Sequence, residues 1–220
     1  VADIYAPTAQ KIFWNHLYQG LYTKGVDSWW LDATEPAYKD GLYPEKQTQW
    51  SKKAGKTFIG SAARYLNTYS YVLTKMMYEN LREQSDNRAS VLTRSAFAGQ
   101  QRFGTSIWSG DIYASWDVLK KQLVAGLNIC MTGIPYWTTD IGGFRVRSRE
   151  NSGEGTGEIG TEIHRNISSC DGGYAKGLKD SAYLELYTRW FQYGALSPIF
   201  RAHGCLLYTS DAADEARSVD

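Results

Sequence analysis

GVDSWWLDATEP, running from Gly25 to Pro36, is the stretch on which the fold turns. Two tryptophans and a leucine make an apolar, strand-like run that stops at Asp32. Such a run reads as a buried strand, and a carboxylate placed at its end needs a partner or a use. The pattern recurs along the chain. SVLTRSAF begins β-branched and apolar and carries Arg94, and GTSIWSGDI is a short strand followed by Asp111. IPYWTTDIGGF passes through Asp140 into glycines, and LSPIFRAHG reaches Arg201 and His203.

Helical patterns separate these runs. Phe13, Leu17 and Leu21 recur at helical spacing within Lys11–Lys24, and Lys24-Gly25 is a stop signal. A long helix is expected from Phe58 to about Glu83, with Leu66, Tyr69, Leu73 and Met76 on one face, broken by SDNRA. Ser115 can cap the next helix, whose stripe reads Trp116, Leu119, Leu123 and Leu127 and which Gly133 ends. Tyr183–Tyr193 is helical, with Leu184, Tyr187 and Phe191 together and Gly194 closing it. LYPEKQTQWSKKAGK and the Gly-rich, charged stretch 145–180 read as loop, the second as an insertion.

Strands alternating with helices imply parallel βα units and an α/β fold. An open doubly wound sheet and part of a (β/α)8 barrel both fit. No G-x-G-x-x-G turn follows the first strand, which disfavours a dinucleotide fold. In a barrel, polar groups at successive strand ends converge on one face, where active sites lie. The barrel is therefore the expected architecture.

Composition excludes more than it selects. At 43% hydrophobic and 21% charged residues the balance is that of a globular chain. A net charge of +1 gives no argument for nucleic acid or an anionic membrane. No apolar run approaches the ~20 residues a membrane helix needs. VADIYAPTAQ has neither the basic start nor the apolar stretch of a leader, and the compartment stays open between periplasm, exterior and cytoplasm. Cys130, Cys170 and Cys205 lack metal-type spacing, and their odd count argues against a disulfide framework. The 8 tryptophans and 16 tyrosines could fill a core or line a cleft as stacking platforms for sugar rings; composition does not separate the two.

Each polar residue has a plain structural reading. Asp32 could cap a helix at D-A-T-E, Asp111 could cap a helix or close the S-G-D turn, Asp140 could shape the D-I-G-G turn, and Arg94 could pair with any of them. As a set they are harder to explain, because crowded carboxylates repel and desolvate one another. Two carboxylates bordered by Trp29, Trp30, Trp108 and Trp137 suit glycoside hydrolysis. One attacks the anomeric carbon or supports a water that does, and the other protonates the leaving oxygen. A metal site is the rival use, but no H-x-x-x-H or D-x-D spacing occurs, and His16 and His164 fall outside the set. No cofactor or metal is expected.

WWLDATEP, LTRSAFAGQQRFGTSIWSGD, IPYWTTDIGGF and RWFQYGALSPIFRAHG, in this order, resemble glycoside hydrolase family 31 from about Asp3 to Gly204. The resemblance implies a retaining α-glycosidase on a (β/α)8 barrel. It implies Asp32 as the nucleophile that forms a covalent glycosyl-enzyme, and Asp111 as general acid and then base. Arg94 and His203 look like ligands of sugar hydroxyls, with Asp140 beside them, and Trp30, Trp108 and Phe144 look like subsite walls. The partner implied is an oligosaccharide or polysaccharide-derived substrate. WWLDATEP looks more like the family's α-xylosidases than its glucosidases, whose matching stretch often reads W-I-D-M-N-E-P. An α-glucosidase or transglycosylase of the family, a non-catalytic carbohydrate-binding protein and a metal-dependent barrel hydrolase are the alternatives.

If WWLD matches the family's fourth strand, the chain holds strands four to eight, with VADIY closing the third. Residues 1–204 are then a partial catalytic barrel. Such a piece has two open sheet edges and an open core face, so by itself it is expected to aggregate or stay molten and to show no turnover. CLLYTSDAADE resembles translated adapter sequence, and 205–220 is expected to be a non-native tail.

Overall fold

The computed structural model describes residues 2–35, 49, 52–144, 146, 174 and 180–204. Most of the 145–180 insertion and the whole 205–220 tail lie outside the described residues. The chain divides into two compact units, Val1–Trp108 with Thr132–Tyr136, and Ser109–Met131 with Trp137–Asp220.

The first unit holds strands β1 (Ser28–Leu31), β2 (Lys56–Thr57), β3 (Gly60–Ser61), β4 (Ser90–Thr93) and β5 (Thr105–Trp108). Its helices are α1 (Pro7–Gly20), α2 (Ala62–Tyr65) and α3 (Tyr69–Gln84). β4 lies between β1 and β5, and both pairings are parallel, as the alternation requires. The Ile107 N–H donates to Tyr136 O at 2.9 Å. Trp29 and Val91 are buried with Ile4, Leu73, Met76, Met77 and Leu81. Phe13, Trp14 and Leu17 of α1 pack against this core, whereas Leu21 is 45% exposed.

α1 starts earlier than its periodicity predicts, because Pro7 stands where a missing N–H costs nothing. It gives way to a 3-10 turn at Tyr22–Lys24, which Gly25 closes at φ 95°. The single helix expected from Phe58 to Glu83 is interrupted. β2 and β3 form an antiparallel hairpin at its start. Farther on, Tyr65 O accepts from the Tyr5 hydroxyl at 2.5 Å and the Thr68 hydroxyl at 2.8 Å. In a continuous helix that carbonyl would serve the Tyr69 N–H, which turns to Leu66 O instead.

The second unit holds α4 (Trp116–Met131), β6 (Trp137–Thr138) and α5 (Ser181–Ala195). Its buried cluster is Ala114, Leu119, Ile141, Val146, Tyr183, Leu186 and Trp190. Ser115 caps α4 as expected, its hydroxyl accepting from the Val118 N–H at 3.2 Å. Asp180 caps α5 through the Ala182 and Tyr183 N–H groups.

The buried faces of both helices differ from the apolar stripes. On α4 the buried residues are Leu119, Gln122 and Gly126, while Leu123 and Leu127 are 42% and 71% exposed. A Cβ on Gly126 would stand 2.8 Å from the Tyr193 hydroxyl and 2.9 Å from Trp137 Nε1, so the close approach falls on the glycine side. On α5 the buried face is Tyr183, Leu186, Trp190 and Gly194. Gly194 lies inside the helix, where a Cβ would overlap Ile141 Cδ1. The last expected strand is reduced, among the described residues, to one parallel bridge between Ile141 and Ala202.

Candidate active site

The register of β1 and β4 pairs Leu31 with Thr93, so Asp32 and Arg94 leave the ends of neighbouring strands side by side. Arg94 Nη1 lies 3.1 Å from Asp32 Oδ1. The rest of the guanidinium is held by Glu35, whose Oε1 accepts from Nε at 2.7 Å and lies 2.6 Å from Nη2. Asp32 Oδ1 also accepts from the Ala33 N–H at 2.6 Å. Both bonds use the same oxygen, and Oδ2 takes no donor among the described residues. The Asp32 side chain is 58% exposed. Its carboxylate is thus oriented through one oxygen and open at the other.

A turn of unusual shape makes this possible. Ala33 has φ 52°, the one non-glycine residue with positive φ among those described. An L-residue pays roughly 1–2 kcal/mol for that conformation. It folds the backbone N–H back onto Asp32 and sends Thr34 towards Ser95, where the two hydroxyls lie 3.1 Å apart. The helix-capping alternative for Asp32 accounts for none of these contacts.

Alternation along β1 places Trp30 on the same side as Asp32, opposite the core residues Trp29 and Leu31. Trp30 meets Trp108 edge to face, with centroids 5.4 Å apart and planes at 84°. Trp108 is buried, and Trp30 is 45% exposed. In this unit the structure brings together Asp32, Arg94, Trp30 and Trp108. It adds Glu35, which the sequence reading treated only as part of a capping pattern. A second carboxylate three residues from the first, across a turn, was the available signal.

The second unit gathers Asp140, Phe144 and His203. Asp140 is fully buried, with Oδ1 2.6 Å from Arg201 Nη2. Ile141 N–H donates to Arg201 O at 3.4 Å beside the Ile141–Ala202 bridge. This joins the end of β6 to the segment carrying His203. The Phe144 and His203 rings stack at 5.3 Å with planes 24° apart. Gly142 and Gly143, between Ile141 and Phe144, take φ 90° and 85°. A Cβ at Gly143 would stand 2.5 Å from Ala114 N, so the D-I-G-G turn admits no side chain there. Tyr187, whose ring packs where a Gly142 side chain would go, has its hydroxyl pushed above its ordinary range by burial. Asp111 is exposed and follows Gly110 at φ 82°; the helix cap it could have supplied comes from Ser115. Asp140, expected beside the sugar-hydroxyl ligands, offers no exposed surface.

Among the described residues no group of three or more His, Cys, Asp or Glu side chains is spaced to hold a metal ion. No described helix is long and apolar enough to cross a membrane.

Residues 1–216 match the model of the glycosyl hydrolases family 31 TIM-barrel domain, which runs past Gly204. An α-xylosidase of Saccharolobus solfataricus is 36% identical over 200 residues, covering 90% of this chain and 22% of its own length. An α-glucosidase of the same organism is 30% identical over 154 residues, covering 62% of this chain and 22% of its own. Among solved structures, a family 31 α-xylosidase from Xanthomonas citri superposes with a TM-score of 0.73 at 34% identity, over 94% of this chain and 20% of its own. The chain therefore spans about a fifth of the length of these relatives. The parallel strand ends, their polar residues and these matches agree: the chain belongs to glycosyl hydrolase family 31 and forms part of its (β/α)8 barrel.

Proposed function

We propose that this chain carries the reacting groups of a retaining α-glycosidase that cleaves terminal α-xylosides. The observation that carries the reading is the state of Asp32. Its Oδ1 is anchored by Arg94 and the Ala33 N–H, its Oδ2 is open, and an exposed Trp30 face lies on the same side of the strand. In this reading Oδ2 attacks the anomeric carbon while Asp111 gives its proton to the departing oxygen. The C–O bond to the leaving group breaks, and a glycosyl ester forms on Asp32. Asp111 then takes a proton from water, which attacks the same carbon and releases the sugar and the free Asp32 carboxylate. Arg94 and His203 bind sugar hydroxyls, and Trp30, Trp108 and Phe144 wall the subsite. Fixing a nucleophile in near-attack geometry supplies on the order of 7–11 kcal/mol at best.

The xyloside preference is supported by the relatives named α-xylosidases. The α-glucosidase relative supports a second reading, cleavage of α-glucosides by the same residues. The two differ by a hydroxymethyl group, which an apolar pocket discriminates by roughly 1–3 kcal/mol. A non-catalytic sugar-binding role would use the tryptophans but gives no reason for a carboxylate held by one oxygen alone.

The test uses the protein expressed from its full reading frame. Aryl α-xylosides and aryl α-glucosides are compared by kcat/KM, and a slow-reacting fluorinated xylosyl donor is used to trap the ester. The expected result is higher kcat/KM on the xyloside, a trapped label on the peptide containing Asp32, and no turnover by Asp32→Asn. A label on another residue, or an Asp32→Asn enzyme that retains wild-type turnover, would overturn the assignment.

A further inference from the structure

We propose that Gln100, itself fully enclosed, is a positioning residue that holds Arg94 against Asp32; the catalytic meaning of this rests on the function proposed above. Gln100 is completely buried at the start of a 3-10 turn, Gln100–Phe103, and both ends of its amide are in use. On one side Oε1 accepts from the Ser70 hydroxyl of α3 at 3.0 Å and from the Phe97 N–H at 3.1 Å. On the other side Nε2 donates to Thr93 Oγ1 at 3.2 Å and to Ser95 O at 3.4 Å. Thr93 and Ser95 are the two residues flanking Arg94. The Thr93 hydroxyl itself donates to Ser95 O at 2.9 Å, so three polar groups close a ring around the Arg94 backbone.

The network continues to the nucleophile. The Ser95 N–H donates to Thr34 Oγ1 at 3.2 Å, and Thr34 stands between Asp32 and Glu35. Thr34, Thr93 and Gln100 are all at most 1% exposed. Hydrogen bonds in such an enclosed place are strong and allow one arrangement of the groups they join. Arginine has a long, flexible side chain, and two carboxylates alone would fix its head but not its root. Gln100 fixes the root. Only an amide can donate to a carbonyl and a hydroxyl at one end while accepting two donors at the other. Glutamate at this position keeps the shape and the acceptors but, when ionised, has no donor for Ser95 O.

The experiment measures kcat and KM of Gln100→Glu in the protein from its full reading frame, alone and combined with Arg94→Met. Thr74→Val is the control. It removes a fully buried hydroxyl from the same helix, bonded to Ser70 O and Tyr71 O and not to the residues around Arg94. A misplacement of about 1 Å can cost 10²-fold, so Gln100→Glu is expected to lower kcat roughly 10- to 100-fold with a smaller change in KM. In the Arg94→Met background the same substitution should cost less than about twofold, because the group it positions is gone. Thr74→Val should lower stability and leave kcat within about twofold. Equal losses with and without Arg94, or a Gln100→Glu effect no larger than that of Thr74→Val, would overturn the proposal. If Gln100→Glu does not fold, Thr93→Val removes the same link and must show the same dependence on Arg94.

Should the unaltered protein show no turnover, the catalytic reading fails on its own and positioning is judged from crystal structures. Gln100→Glu or Thr93→Val is then expected to open the Arg94–Asp32 contact beyond roughly 3.5 Å, the limit of a hydrogen bond. An unchanged contact would overturn the proposal.

Discussion

Asp140 and Arg201 meet at 2.6 Å, with the carboxylate fully enclosed and the guanidinium side chain 18% exposed. Breaking a buried pair by removing one partner typically costs about 3–5 kcal/mol. Arg201→Met is therefore expected to destabilise the protein by that amount. Replacing both, Asp140→Leu with Arg201→Met, should cost clearly less than the sum of the single changes. Urea unfolding of the three variants, expressed from the full reading frame, measures this. Additive losses would mean that the two side chains do not act as a pair.

The sheet was legible in the sequence because β1, β4 and β5 are short, β-branched or aromatic, and each is followed by a polar residue. Register then did the rest: Leu31 opposite Thr93 makes Asp32 and Arg94 neighbours. Glu35 was not legible as a partner of Arg94, because its placement depends on the left-handed turn at Ala33, a conformation that alanine does not advertise. Nor was Gln100, whose value lies in four bonds to residues as far as thirty positions away. The helix faces failed for a different reason. Counting apolar side chains finds the larger hydrophobic stripe, whereas α4 and α5 bury the side that carries a glycine, since close approach needs the missing Cβ.

That difference gives a direct test on α4. Leu119 is 7% exposed and Leu127 is 71% exposed, although both belong to the apolar stripe. Leu119→Ala should cost about 2–5 kcal/mol, the range for a core leucine. Leu127→Lys should stay within about 0.5 kcal/mol. Thermal unfolding of the two variants decides between the faces. A large loss from Leu127→Lys would place the buried face on the leucine side.

Two glycines with positive φ separate backbone strain from steric overlap. Gly25 has φ 95° and nothing within 4 Å of an added Cβ. Gly25→Ala should therefore cost only the left-handed conformation, roughly 1–2 kcal/mol. Gly104 has φ 67°, and its Cβ would overlap the Ala89 carbonyl oxygen, a backbone atom just before β4. Gly104→Ala must carry the same strain and also move that backbone, so its loss should be clearly larger. Urea midpoints for the pair measure the difference, and equal losses would show that the Ala89 segment yields freely.

Asp111 is exposed in a bend after Gly110, and the described cap of α4 comes from Ser115. If it is the acid that protonates the departing oxygen, its importance depends on how much that oxygen needs a proton. Asp111→Ala should slow substrates with poor leaving groups by about 10²–10⁴-fold, the usual worth of a general acid. Activated aryl glycosides leave without protonation, so their cleavage to the glycosyl ester should be slowed far less. Their steady-state turnover then becomes limited by the second step, which has lost its base. An added anionic nucleophile such as azide needs no base and should restore that turnover. Equal losses for good and poor leaving groups in the first step, or no response to azide, would assign the acid to another residue. The measurements are the leaving-group dependence of kcat/KM for Asp111→Ala, and its kcat on an activated aryl glycoside with and without azide, in the protein from its full reading frame.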